Sequence, residues 1–346
     1  MNNRTQIADL LKGIAVVLMI QVHIIEKFAA ESVYYSNTGR VLLYLGGPSV
    51  APVFMAIMGY FIAESVKTTR QLMLRGVQLF MAGMLLNIAL NTNLFIAISK
   101  GIYVLNPLPY LLGVDILHFA GIAFISIAAL KPYLEKHLLI TTGCIIIAAL
   151  AGQILSGYVP ENPVALYTSA FFYGSTSWSY FPLFPWLAYP LAGIAFHHIN
   201  HRFNPRPIYT KNDKFLIAGS LLVFFAYTLN YAVTVASNLP GYYHHNALFC
   251  CWILVFLAGH SFFANELNHF MGNSFLFKLL KWMGREVTSI YIIQWIIIGN
   301  LSTEIYRTIN RFSTLVIWFV VILTVSCLLA FLLRKLKQNH QQLQQQ

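Results

Sequence analysis

The sequence predicts an all-α, polytopic integral membrane protein of about ten transmembrane helices, with both termini in the cytoplasm. Three observations carry that prediction. Of the 346 residues, 58% are hydrophobic and 10% are charged, where an average globular chain has about a quarter charged. Apolar runs of about 20 residues, the length that crosses a bilayer as a helix, recur along the whole chain. Between them, Lys and Arg fall mainly on alternate connections. A β-barrel would show short alternating segments instead.

The runs read as spans at roughly 8–28, 44–65, 73–92, 110–130, 137–157, 181–198, 213–236, 245–265, 286–306 and 312–333. On one side lie Arg4, Lys67, Arg70, Arg75, Lys131, Lys136, Arg202, Arg206, Lys211, Lys214, Lys278, Lys281, Arg285, Arg334, Lys335 and Lys337, which is 16 cations. The other side holds five: Lys27, Arg40, Lys100, Arg307 and Arg311. Lys12 lies within the first span. The positive-inside rule places the richer side, and with it both termini, in the cytoplasm. An even number of spans returns the chain to the side where it began. The location expected is therefore the cytoplasmic (inner) membrane. The net charge of +11 is read as basic cytoplasmic loops in contact with lipid, not as a nucleic-acid surface. Cys144, Cys250, Cys251 and Cys327 sit inside apolar runs, with neither disulfide nor zinc spacing, so no metal is expected. Residues 1–337 read as one transmembrane domain and 338–346 as a polar, disordered tail.

The first span, DLLKGIAVVLMIQVHIIEK, is interrupted by His23 and Glu26, and no cleavage site follows, so it reads as a retained helix. At 100° per residue, Lys12 and His23 are separated by three turns plus ~20°, on one face and about 16 Å apart along the axis. Asp9, Glu26 and Lys27 fall within the same arc of about 100°, and Gln21 does not. An ionisable stripe at membrane depth costs ~2.5–3.5 kcal/mol per group on insertion scales, and marks a functional site by default. Its outermost members can also reach the interface by snorkelling, and His23 alone also suits an ordinary helix–helix hydrogen bond.

The second span begins GGPSVAPVFMAIMGYF. Gly46, Gly47 and Pro48 break the chain near the level of His23, and the helix start they create favours a negative charge. Gly59 suits close helix packing. Lys67, Arg70 and Arg75 follow as a basic cytoplasmic lip, suited to phosphate groups and equally explained by topology. The fourth span starts with Asp115 and His118 on one face. Asp115 suits either orientation of a histidine or a helix-start acid. The loop before the sixth span is rich in Tyr, Phe and Trp, which suit sugar faces and membrane interfaces alike; Trp186 and its neighbouring prolines fix the entry to that span. The segment HHINHRFNPRPIYTKNDK reads as a basic cytoplasmic loop without metal-ligand spacing. His244 and His245 are further candidates for acceptor binding. In the ninth span, Gln294 lies within the bilayer.

Lys12, ten residues and then His23 resemble the Arg/Lys-X10-His pattern of the first helix of type 3 membrane acyltransferases. LKGIAVVLMIQVH is also similar to the heparan-α-glucosaminide N-acetyltransferase-like proteins. VAPVFMAIMGYFIAES, FPLFPWLAYPLAGIAF and MGREVTSIYIIQW resemble later helices of this superfamily, in the same order. Val22 stands where the family often has Asp, Tyr or Phe, and Met58-Gly59 where type 3 members have Ser-Gly. Heparan-type enzymes carry their active histidine after the first helix, and here no histidine lies between His23 and His118, so that assignment does not transfer. The resemblance implies an acyltransferase with cytosolic acetyl-CoA or another acyl-CoA as donor and a saccharide or glycoconjugate acceptor outside. Lys12, Arg70 and Arg75 would hold the CoA phosphates. His23 would be general base or transient acyl carrier, with Glu26 or Asp115 fixing its tautomer. A transporter or flippase of a lipid-linked sugar remains the alternative, since intramembrane charge and broken helices suit it too.

Overall fold

A computed structural model describes residues 3–134, 136–174, 176–202 and 210–343. Among the described residues the regular structure is helical, with two isolated β-bridges. The helices in chain order are α1 (Asn3–Phe28), α2 (Glu31–Tyr34), α3 (Asn37–Gly46), α4 (Ala51–Glu64), α5 (Thr69–Leu90), α6 (Thr92–Ser99), α7 (Leu108–Leu111), α8 (Ile116–Leu134) and α9 (Leu138–Leu155). There follow α10 (Pro163–Ala170), α11 (Leu183–Trp186), α12 (Ala188–Arg202), α13 (Lys211–Ser237), α14 (Leu239–Tyr243), α15 (Ala247–Met271), α16 (Phe275–Arg285), α17 (Val287–Ile305) and α18 (Phe312–Leu343).

Among the described residues, eight segments are long and apolar enough to cross a membrane: Thr5–Phe28, Asn37–Glu64, Thr69–Leu90, Ile116–Leu134, Leu138–Leu155, Lys211–Ser237, Ala247–Met271 and Phe312–Asn339. The protein is thus all-α and polytopic. Two of the ten expected spans differ for identifiable reasons. The 181–198 run is split into α11 and α12, with non-helical backbone at Phe184 and only 15 residues in α12. In α17, Gln294, Asn300 and Glu304 dilute an otherwise apolar run. The expected break at Gly46–Pro48 is present as the gap between α3 and α4. The histidines of HHINH belong to α12 and not to a loop, and the Nε2 of His198 bonds the Leu134 carbonyl at 2.6 Å. Arg206, counted with the cytoplasmic cations, lies outside the described residues. α18 runs on to Leu343, through most of the stretch expected as a disordered tail.

The chain divides into two compact units. The first comprises residues 1–46, 89–105 and 264–346, and the second 47–88 and 106–263. The first unit is built around α1, which packs against α3, α16, α17 and α18. Leu10, Ala15, Val16, Met19, Ile20, Ile24 and Phe28 are almost completely buried. Two glycines let α1 and α16 touch backbone to backbone: a Cβ on Gly13 would collide with the Leu280 carbonyl, and one on Gly284 with the Asp9 carbonyl. Gly46, at the end of α3, packs against the Val22 side chain in the same way. At the far end of α1, the segment after α17 is stitched on by backbone hydrogen bonds. Arg307 N–H donates to the Lys27 carbonyl at 2.9 Å, and Ile309 N–H to that of Phe28 at 2.9 Å.

In the second unit α4 lies against α12, again through glycine. A Cβ on Gly59 would collide with the Pro190 carbonyl, and one on Gly193 with the Ala56 carbonyl. Small residues allow this approach, which drives helix association where no hydrophobic effect acts between helices in lipid. Trp186 is fully buried, its indole N–H donating to the Tyr243 carbonyl at 2.8 Å. His245 is spent in the same core. Its Nδ1–H donates to the Tyr242 carbonyl at 2.8 Å, and its Nε2 accepts the Tyr189 hydroxyl at 2.6 Å. With 2% exposure it is a packing residue and not the acceptor ligand the sequence suggested. Lys131 donates to the carbonyls of Ser65 (3.1 Å) and Lys67 (2.9 Å), placing its charge at the C-terminal end of α4, where the helix dipole favours a cation.

Gly59→Leu should force α4 from α12 and lower the thermal midpoint of the protein in lipid, at a cost of about 1–3 kcal/mol or more. Gly219→Ala, at a helical glycine with nothing within 4 Å of an added Cβ, should leave that midpoint unchanged or raise it, by at most about 1 kcal/mol. Equal behaviour of the two variants in a thermal-unfolding assay would refute this packing.

Candidate functional site

α1 places its ionisable groups as the helical wheel requires. At one end the Lys12 ammonium meets Asp9 Oδ1 at 2.8 Å, with both side chains mostly buried. One of the three ammonium donors is thereby used, and two remain. Beside the pair, Lys281 of α16 donates to Gln6 Oε1 (3.4 Å) and to the Gly272 carbonyl (3.2 Å). Burial, and then the neighbouring Arg285, push the Lys281 ammonium below its ordinary pKa, with Asp9 opposing.

Three turns along α1, His23 faces α17. Its Nδ1 lies 3.1 Å from Gln294 Oε1. Its ring packs on Trp295, with centroids 4.0 Å apart and planes at 31°. The orientation of the Gln294 amide decides the tautomer. Its Nε2 donates to the Tyr291 carbonyl, one turn back on α17, at 3.2 Å. Its Oε1 therefore faces the imidazole and can only accept. In the neutral ring Nδ1 carries the proton, and Nε2 keeps its lone pair. Among the described residues Nε2 has no hydrogen-bond partner, and His23 as a whole is half-buried. The site thus holds an imidazole with one nitrogen anchored and the other available as a base.

Glu26 and Lys27 extend the stripe toward the C-terminal end of α1, and the Lys27 ammonium sits 5.9 Å from the Trp295 ring centroid. Lys12, His23 and Glu26 belong to the first compact unit, and Arg70, Arg75 and Asp115 to the second. Arg70 and Arg75 are exposed near the start of α5. Asp115 meets His118 through its backbone, whose N–H donates to His118 Nδ1 at 3.2 Å, while its Oδ1 accepts from Ile116 N–H at 2.7 Å. The group at His23 Nδ1 is Gln294, which the sequence marks only as a polar residue in an apolar run. Among the described residues, no group of three or more His, Cys, Asp or Glu side chains is placed to hold a metal.

An all-helical chain with several membrane-crossing segments and an anchored imidazole on its first helix defines a polytopic membrane protein. The chain matches the family described as heparan-alpha-glucosaminide N-acetyltransferase, catalytic, over residues 4–231, and belongs to that family. It is therefore a multi-pass membrane acetyltransferase. Comparisons with curated proteins and with solved structures return no match. The matched stretch contains Lys12, His23, Glu26, Arg70, Arg75 and Asp115; Gln294, Trp295 and the chain after α17 lie beyond it.

Gln294→Leu removes the acceptor at Nδ1 and frees the other tautomer. The expected result is a kcat for acetyl transfer lower by about 10–100-fold, with the KM for donor little changed. Gln294→Glu, which keeps an acceptor oxygen, should retain more activity than the leucine variant. Wild-type kcat in Gln294→Leu would remove this residue from the reaction.

Proposed function

We propose that this protein moves an acetyl group from acetyl-CoA, or the acyl group of a related acyl-CoA, to a hydroxyl or amine of a saccharide or glycoconjugate acceptor. The donor is taken from the cytoplasm and the acceptor from the opposite side of the cytoplasmic membrane. The observation that carries this reading, beyond the family match, is His23 with Nδ1 held by Gln294 and Nε2 left without a partner.

The chemistry follows from that nitrogen. Nε2 takes the proton as the acceptor oxygen or nitrogen attacks the thioester carbonyl. The new C–O or C–N bond forms, the C–S bond breaks, and the departing CoA sulfur takes the proton back from Nε2. Imidazole suits this because its unperturbed pKa lies near neutrality, so it both accepts and returns a proton. The anchored Nδ1–H keeps the ring from turning away, and Trp295 restricts it from one face. A ring that attacks the thioester itself would instead carry the acetyl group on Nε2 before passing it on. Glu26, one turn outward on the same face, supplies negative charge that favours the imidazolium formed in the first step. Asp115 is kept as a secondary candidate for orienting histidine, through His118 in its own unit.

At the other end of α1, Lys12 offers its two remaining donors to the CoA phosphates. Arg70 and Arg75, exposed and carrying planar forks, suit the same groups. The basic connections support a cytoplasmic position for this end and for both termini. Residues 1–337 are proposed to work as one domain, because α5 and α15 each run continuously from one compact unit into the other.

Two measurements test the reading. Purified protein in lipid should turn over acetyl-CoA with an amino-sugar acceptor, and His23→Ala should lose at least 100-fold in turnover while still binding CoA. Failure of the wild type to bind CoA would sink the enzyme reading, and undiminished turnover in His23→Ala would remove His23 from the chemistry. Single cysteines at Arg40→Cys and Lys211→Cys, in a cysteine-free background, should be labelled from opposite sides of sealed vesicles. Labelling from the same side would overturn the topology.

A further inference from the structure

The outer end of α1 carries a second built feature, centred on Arg307. Arg307, two residues past the end of α17, has φ 54°, and no other residue except glycine has positive φ among the described residues. That conformation costs energy for a long side chain and persists only where the surroundings over-determine it. Here the backbone is locked by the bond from Arg307 N–H to the Lys27 carbonyl (2.9 Å) and by the parallel bridge between Ala29 and Ile309. The guanidinium is held between two aromatic rings, 4.7 Å from the Tyr34 centroid and 5.5 Å from that of Tyr306.

The side chain is packed, but neither its charge nor its N–H donors are met. The guanidinium makes no ion pair and no hydrogen bond among the described residues, and its Nε is buried without a partner. A guanidinium has five N–H donors in a planar fork matched to carboxylate or phosphate oxygens. The neighbouring charges are of both signs. The Tyr34 hydroxyl, pushed above its usual pKa first by burial and then by Glu26, is drawn back by Arg307. Lys27 adds a second cation over Trp295. Of the two rings against the fork, Tyr34 is buried and Tyr306 is 53% exposed.

The position relative to His23 is fixed by the chain. Trp295 touches the His23 ring and lies under the Lys27 ammonium, and the Lys27 carbonyl receives the Arg307 N–H. His23 and Lys27 are one helical turn apart, about 6 Å along the axis. Arg307 and the tyrosines are therefore the next layer outward from the imidazole.

We propose that Arg307, flanked by Tyr34 and Tyr306, is an acceptor subsite for an acid group, so that the saccharide presented to His23 carries a phosphate, sulfate or carboxylate. The acid group pairs with the guanidinium fork, and the sugar ring lies against the exposed Tyr306 ring. The identification of the ligand as an acceptor rests on the acetyltransferase reading above; the anion site itself does not.

The test is calorimetric binding to the full-length protein in nanodiscs, without acetyl-CoA, so that it reads the site separately from turnover. The probes are glucosamine 6-phosphate and neutral glucosamine. The wild type should bind the phosphorylated sugar at least tenfold more tightly. Arg307→Asn removes the charge and tolerates the left-handed backbone, and should bring that ratio close to one. Arg307→Lys, which keeps the charge without the fork, should fall between. In the wild type alone, the preference should shrink as salt rises from about 0.05 to 0.5 M, because a partly exposed ion pair is screened. Equal binding of the two sugars by the wild type, a preference that survives in Arg307→Asn, or one indifferent to salt would each overturn the subsite. If the phosphorylated sugar binds as stated but no acetyl transfer occurs, the anion site stands and the acetyltransferase reading fails.

Discussion

The hydrogen bond between His23 and Gln294 is the interaction on which the account turns. Both side chains are polar, and both sit within the apolar runs of their helices. In hydrocarbon each would cost several kcal/mol without a partner. Together they satisfy one another, and the spare amide N–H of Gln294 is returned to its own helix at Tyr291. An interhelical hydrogen bond of this kind contributes about 0.6 kcal/mol to membrane-protein stability and rarely more than about 1.7. That is too little to hold the unit together. Its larger consequence is chemical: it settles which imidazole nitrogen carries the proton and leaves the other without a partner among the described residues.

Stability comes from elsewhere, and chiefly from close backbone approach. α1 is flanked by α16 through Gly13 and Gly284, and α4 by α12 through Gly59 and Gly193. Each pair is reciprocal, with a glycine on both helices at the crossing. Such contacts admit no side chain, so they fix helix position to within a methyl group. They leave α1 buried along most of its length, which allows a polar stripe on it to meet other helices and not lipid. The stitch of Arg307 and Ile309 onto Lys27 and Phe28 then fixes the C-terminal end of the same helix.

Much of this was legible in the sequence, and the exceptions have physical causes. Helical periodicity placed Lys12 and His23 on one face because both lie on one uninterrupted helix. Gly46–Pro48 marked a real break because glycine and proline disfavour a continuing helix at any depth. Gly59 was read for close packing, and it meets the Pro190 backbone. By contrast, the partner of His23 lies 271 residues away in sequence, and nothing local indicates which polar residue of a later span will face it. Gln294 stood out only as an amide in an apolar run. Arg307 was counted among outer cations, but its left-handed backbone and its place between Tyr34 and Tyr306 depend on tertiary contacts. His245 misled for the converse reason: a histidine near a span end suits a ligand and a core network equally, and His245 took the core.

The most direct test of the central claim is nitrogen NMR of the protein in lipid, labelled at the histidine ring nitrogens and assigned at His23 by comparison with His23→Ala. At neutral pH the account predicts a single neutral tautomer, with the proton on Nδ1 and the bare nitrogen at Nε2. A ring protonated at Nε2, or one exchanging freely between both forms, would contradict it.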